Sequence, residues 1–149
     1  MRVCAQKGIH GNAEFASFGH RLCRHEENVT YCQLLAPLWR ELEAGQIIVV
    51  SSELILLETL VVPLRNKDAI LIAAYENILT RSDLDLFPIT AQILREAAQL
   101  RATTNLKTPD AIHAATALFA KCTQFLTNDV AFRQVSNLPV VILDAVLNF

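Results

Sequence analysis

Thr108-Pro109-Asp110-Ala111-Ile112-His113-Ala114-Ala115-Thr116-Ala117-Leu118, followed by Phe125-Leu126-Thr127-Asn128-Asp129, is the stretch that decides the fold. Thr108 is a good N-cap and Pro109 suits the first helical position. Asp110 falls in the first turn, where the helix dipole favours a carboxylate. A helix is expected to start here. Its side chains at Ala111, Ala114, Ala115 and Ala117 are small enough for it to lie close against another surface, and a sheet is the natural one. Gln124 to Thr127 read as a short buried strand. Thr127-Asn128-Asp129 form a polar stop at its carboxyl end, the edge where open α/β sheets place their ligands. Asp110 and Asp129 are therefore expected on one rim. Each also has an ordinary use: Asp110 as a helix-start charge worth about 0.3–1 kcal/mol, and Asp129 as a cap for the next helix.

Working outward, strands alternate with helices. Residues 29 to 44 carry Leu34, Leu35, Leu38, Trp39 and Leu42 at helical intervals, with Gly45 as a stop. Ile47 to Val50 form a β-branched run suited to a strand buried on both faces. Ser51 or Ser52 then caps a helix running to about Leu64, and Asn66 is expected to cap another over Lys67 to Leu79. A strand over Leu84 to Ile89 leads to a helix from Thr90 to about Thr103. After the Asp110 helix and the strand at 124–127 come a short helix over Val130 to Val135 and a last strand, Val140 to Leu143. This order is the signature of a parallel sheet covered by helices on both faces.

The chain has 149 residues, which is one domain with a sizeable core. Hydrophobic residues make up 52%, yet no apolar run approaches the ~18 residues a membrane span requires. Leu54 to Leu64, the most apolar stretch, is interrupted by Glu58 and Pro63. No apolar signal-peptide core is present at the start, so a soluble cytoplasmic protein is expected, with no membrane contact. The net charge of −2 does not advertise nucleic-acid binding, which must be local if it occurs. Cys4, Cys23, Cys32 and Cys122 have no regular spacing and are expected to be reduced thiols. No glycine-rich phosphate loop follows any strand, which argues against a nucleotide-binding or flavodoxin-like domain.

Residues 1–27 look unlike the rest. They hold three of the four histidines and three of the four glycines, and show neither strand alternation nor a helical stripe. His20, Cys23 and His25 lack the paired spacings of closed zinc sites.

Glu58 stands out in the middle of the chain. Its helical neighbours Leu54, Ile55, Val61 and Val62 are apolar, and a carboxylate projecting from a core-facing stripe needs a partner. A lysine, an arginine or a metal ion would serve. Ser52 ends the strand before it, on the rim where Asp110 and Asp129 are expected. Three carboxylates beside the hydroxyls of Ser52 and Thr127 would select a hard cation such as Mg²⁺ or Mn²⁺. His113 is expected to hydrogen-bond Asp110 or a carbonyl, and Lys107, Arg101 and Arg133 are candidates for contacting phosphates.

Taken together, Ser52-Glu53-Leu54-Ile55-Leu56-Leu57-Glu58, Leu106 to Ala117 and Phe125 to Asp129 resemble the PIN-domain family in order and spacing. Within it they are most similar to the VapC-type toxins of bacterial toxin–antitoxin systems. The resemblance implies a three-layer α/β fold and an Mg²⁺- or Mn²⁺-dependent ribonuclease. It makes Glu58, Asp110 and Asp129 the acidic metal positions, with Ser52, Thr127, Asn128 and His113 lining the site. RNA, an antitoxin protein of the VapB kind and a second copy of the chain are the implied partners.

The resemblance covers residues 28–149 as a PIN-like domain and leaves 1–27 as an atypical segment. Family members open with an apolar strand ending in an aspartate, at the centre of the sheet. Here no aspartate precedes Asp68. The first central strand is therefore expected to be missing or degenerate, through a remnant, a frame disruption or a misassigned start, and activity to be impaired or absent. The alternative is a non-catalytic module that pairs with an antitoxin or with itself through apolar helices, using Leu34, Leu38, Leu64, Ile70 and Leu71.

Overall fold

In the computed structural model, residues 2–5 (by their backbone), 36–38, 40–42, 44–80 and 84–147 are described. Strand β1 (Arg2–Ala5) is followed by a helix, α1, seen at residues 36–38 and 40–42. Then come β2 (Ile48–Ser52), α2 (Leu54–Asn66), α3 (Ala69–Leu79), β3 (Leu84–Phe87), α4 (Ala91–Thr103) and α5 (Thr108–Phe119). The chain continues through β4 (Gln124–Thr127), a 3-10 helix (Val130–Gln134), β5 (Val140–Ile142) and α6 (Leu143–Leu147).

The strands form one sheet in the order β3-β2-β1-β4-β5, and every pairing is parallel. β1 lies at its centre. Val3 stands opposite Val49 of β2 on one side and Gln124 of β4 on the other, and Cys4 is opposite Val50 and Phe125. This corrects the expectation of a missing central strand: Arg-Val-Cys-Ala is too short to announce itself by alternation, but it fills the slot between β2 and β4. What the strand lacks is an acid, since none of residues 2–5 is Asp or Glu. In that sense degenerate describes it and missing does not.

Alternation along the strands sorts the core into two layers. On one face Val50 and Phe125 pack with Ile93, Ala97 and Leu100 of α4 and the alanines of α5. On the other, Ile47, Val49 and Leu126 pack with Leu42, Ile55, Tyr75, Leu79 and Leu143. The result is the three-layer architecture expected from the sequence. Residues 111–117 of α5 are all buried, as befits a helix that is apolar all round.

Several local expectations are corrected. Asn66 does not cap α3, because α2 runs through it and ends at left-handed Lys67 (φ 55°). Asp68 caps α3 instead, its Oδ1 accepting from the Leu71 amide at 3.0 Å. Pro88 has no N–H for the ladder, and β3 stops at Phe87 rather than Ile89. Thr108 lies within the first turn of α5, whose N-cap is Lys107, without a side-chain bond. Thr90 caps α4 as expected, accepting from Ile93 N at 3.3 Å. Gly45, at φ +68°, closes α1. Cys122 is disulfide-bonded, which overturns the reduced-thiol expectation; irregular spacing says nothing about which cysteines meet in space. The expected helix over residues 29–44 lies partly outside the described residues, at 29–35, 39 and 43, as do His20, Cys23 and His25.

Val3→Pro would remove a ladder donor from the middle of the sheet, leaving a buried carbonyl unpaired at a cost of at least about 1–3 kcal/mol. Urea denaturation should show that loss or outright unfolding. Wild-type stability would mean that β1 is not the central strand.

Candidate functional site

Because all five strands run the same way, their carboxyl ends share one edge. The chain proceeds outward from β1 to β2 and β3, then returns to add β4 and β5 on the other side of β1. The order therefore switches between β1 and β4, the place where open α/β sheets form a ligand crevice. Ser52 ends β2, Ala5 ends β1 and Thr127 ends β4, so the three meet this edge together.

Ser52, Thr127, Asn128 and Asp129 each have a defined local partner. Ser52 Oγ accepts from the Leu54 amide at 3.2 Å, but the N-cap of α2 is Glu53 rather than either serine expected there. Thr127 Oγ1 accepts from the Asp129 amide at 3.0 Å, and Asn128 Oδ1 accepts from the Asp144 amide at 2.9 Å. Asp129 Oδ1 accepts from Ala131 N at 2.8 Å and caps the 3-10 helix, its ordinary use. Among the described residues, the buried Ser51 Oγ has no hydrogen-bond partner. Alternation turns Ser51 to the α3 side of the sheet, away from Ser52.

Glu58 corrects a sequence expectation. The buried stripe of α2 is Ile55, Thr59 and Pro63, while Val61 and Val62 are exposed. Glu58 therefore lies on the flank of the helix rather than in the core stripe, with its side chain 21% exposed. Its Oε2 lies 3.1 Å from Nε2 of His113, which is only 3% exposed. An ionised carboxylate only accepts, so the imidazole Nε2 carries the hydrogen. This contact joins α2 to α5 across 55 residues of sequence. Each group had been expected to find a different partner: Glu58 a basic residue or a metal, His113 an aspartate or a carbonyl.

Asp110 is half-buried in the first turn of α5, three residues before His113, so the two share one side of that helix. Glu58 is thereby drawn to the helix side that carries Asp110. Lys107 at the start of α5 and Arg133 in the 3-10 helix are exposed. Arg101 is exposed too, with Nε donating to the Leu106 carbonyl at 3.4 Å.

Among the described residues, no three Asp, Glu, His or Cys side chains form a group able to hold a metal ion by themselves. Mg²⁺ asks for less, since it keeps several waters and is commonly held by one or two carboxylates together with substrate phosphate oxygens. The donor chemistry at this edge, carboxylates with neighbouring hydroxyls, fits a hard cation held in that way. No described helix is long and apolar enough to cross a membrane.

Comparison with known proteins bears on the family and the fold. A PIN-domain family model matches residues 35–138, more than half of the chain, and the chain belongs to that family. The match begins after β1. The structure superposes on a chain of the VapBC2 complex from Rickettsia felis, bound in that crystal to a fragment of its promoter DNA, with a TM-score of 0.63 and 17% identity. That superposition covers 95% of this chain and 98% of the other, and establishes a common fold. A chain of a toxin–antitoxin complex from Klebsiella pneumoniae gives a TM-score of 0.45 at 24% identity, over 64% of this chain and 72% of that one. None of the curated proteins matches the chain.

The Glu58–His113 contact can be weighed by a double-mutant cycle. Glu58→Ala, His113→Ala and the double variant should reveal a favourable coupling of about 0.5–3 kcal/mol in urea unfolding. Strict additivity would mean that the two side chains do not interact.

Proposed function

We propose that this PIN-domain chain is a cytoplasmic ribonuclease scaffold of the VapC toxin type, dependent on Mg²⁺ or Mn²⁺ and impaired by the absence of an acid from its central strand. The observation that carries the reading is the tie between Glu58 and the residue one turn beyond Asp110, beside the carboxyl edge of a parallel sheet. That contact ties Glu58 to the helix that carries Asp110.

In this reading Glu58, Asp110 and Asp129 hold the cation, and Ser52, Thr127, Asn128 and His113 line the site around them. A bound divalent ion supplies a water of lowered pKa and stabilises the charge that develops during phosphodiester hydrolysis. The chain's own residues do the rest. Lys107 and Arg133 contact RNA phosphates and fix the strand without reading its bases. One of the three carboxylates, or a water it orients, accepts the proton released at the attacking oxygen. With no acid in β1, the site carries less negative charge and attracts the cation more weakly.

A metal-dependent RNase assay on the full chain tests this. Weak cleavage is expected with Mn²⁺, abolished by EDTA and by Asp110→Asn. Cleavage that persists in Asp110→Asn or in EDTA would overturn the reading.

A second reading, a module that works by binding an antitoxin or a second copy of itself, is favoured by a specific surface. Leu57, Val61 and Leu64 follow one another along the outer side of α2, and Ile70 at the start of α3 is 85% exposed. These are large apolar side chains in water, on adjacent helices. Of the interface candidates named from sequence, Leu64 and Ile70 are on this surface, whereas Leu38 and Leu71 pack against the core. Leu34 lies outside the described residues. If the face pairs two copies, Leu64→Lys with Ile70→Lys should convert a dimer to a monomer in sedimentation analysis; an unchanged dimer would show that pairing occurs elsewhere.

A further inference from the structure

We infer that His113 is a positioning residue for the Glu58 carboxylate, a role that rests on the metal-binding reading above. The imidazole is buried, within a run of α5 whose residues 111–117 are all buried. A ring nitrogen so fully buried is costly to keep there unless it meets a polar partner. It meets Glu58 Oε2 at 3.1 Å, an ordinary hydrogen-bond length.

The consequence falls on the glutamate. Its long side chain, 21% exposed on the flank of α2, has several rotamers open to it, and anchoring one oxygen on a buried ring selects among them. The ring itself is held by the packing of α5 and has little freedom to move with its partner. His113 also lies one turn from Asp110, so the same contact sets the glutamate in register with the helix that carries the second acid. A neutral imidazole suffices for this, and His113 need not touch the cation. Donors that hold a ligating carboxylate from behind are worth 10–100-fold in metal affinity where they have been removed.

The test is a titration of the full chain with Mn²⁺ alone, followed by calorimetry or by the loss of free-ion EPR signal, with thermal melting of each variant alongside. His113→Ala should weaken Mn²⁺ binding about 10–100-fold in a chain still folded at the titration temperature. His113→Gln, whose amide retains a donor for Oε2, should recover most of that loss, and Glu58→Gln should bind as poorly as His113→Ala. Equal affinity in wild type and His113→Ala would overturn the positioning role while leaving the metal reading intact. So would a loss that His113→Gln fails to recover, because a ring needed only for packing would give that result. A wild-type chain that shows no saturable Mn²⁺ binding would overturn the metal reading, and the positioning role with it.

Discussion

Four residues hold the two halves of this molecule together. β1 pairs with β2 on one side and β4 on the other, with β2 and β3 built outward from one flank and β4 and β5 from the other. Without it, β2 and β4 would each present an unpaired edge to the interior, where backbone donors and acceptors cannot remain unsatisfied. The ladder does not depend on side-chain identity, so a sequence as unlike a typical apolar strand as Arg-Val-Cys-Ala can occupy the position. The same tolerance lets the strand keep its structural role without an acid at its end.

Around that centre the burial of α5 sets the scale. Its alanines allow the helix to approach the sheet and α4 closely, and the close approach leaves little room for a polar group without a partner. His113 is accommodated by this packing through Glu58 on a different helix. Packing and site are therefore one arrangement: the helix that fills the core also carries Asp110 at its first turn and, through His113, gathers Glu58.

The layers were legible because strands and helices alternate with clear periodicity from Ile47 onward, and because Thr90, Pro109 and Gly45 mark element ends with chemistry that acts locally. Where an end depended on competition between neighbours, the sequence misled. Asn66 and Asp68 are both competent caps, and only the left-handed turn at Lys67 decides in favour of the second. β1 escaped notice because four residues with an arginine and a cysteine give no periodic signal; their place is set by the strands they join. That Asp110 falls in the first turn of its helix and Asp129 just past the end of β4 was legible from spacing. The partnership of Glu58 with His113 was not, although each was visibly a polar group on an apolar helix in need of company. Matching one unsatisfied group to the other was the signal available.

Asp129 illustrates a constraint built into the rim. One of its oxygens already holds the amide that begins the 3-10 helix, and the amide of Asp129 itself is tied to Thr127. Any ligand that draws on that oxygen competes with the start of the helix and so with the placement of Phe132, whose ring packs on Phe125 with centroids 4.8 Å apart. Occupancy at the edge is thus wired to the aromatic packing beneath it, and a fluorine label on either phenylalanine would hear the ligand arrive from inside the core.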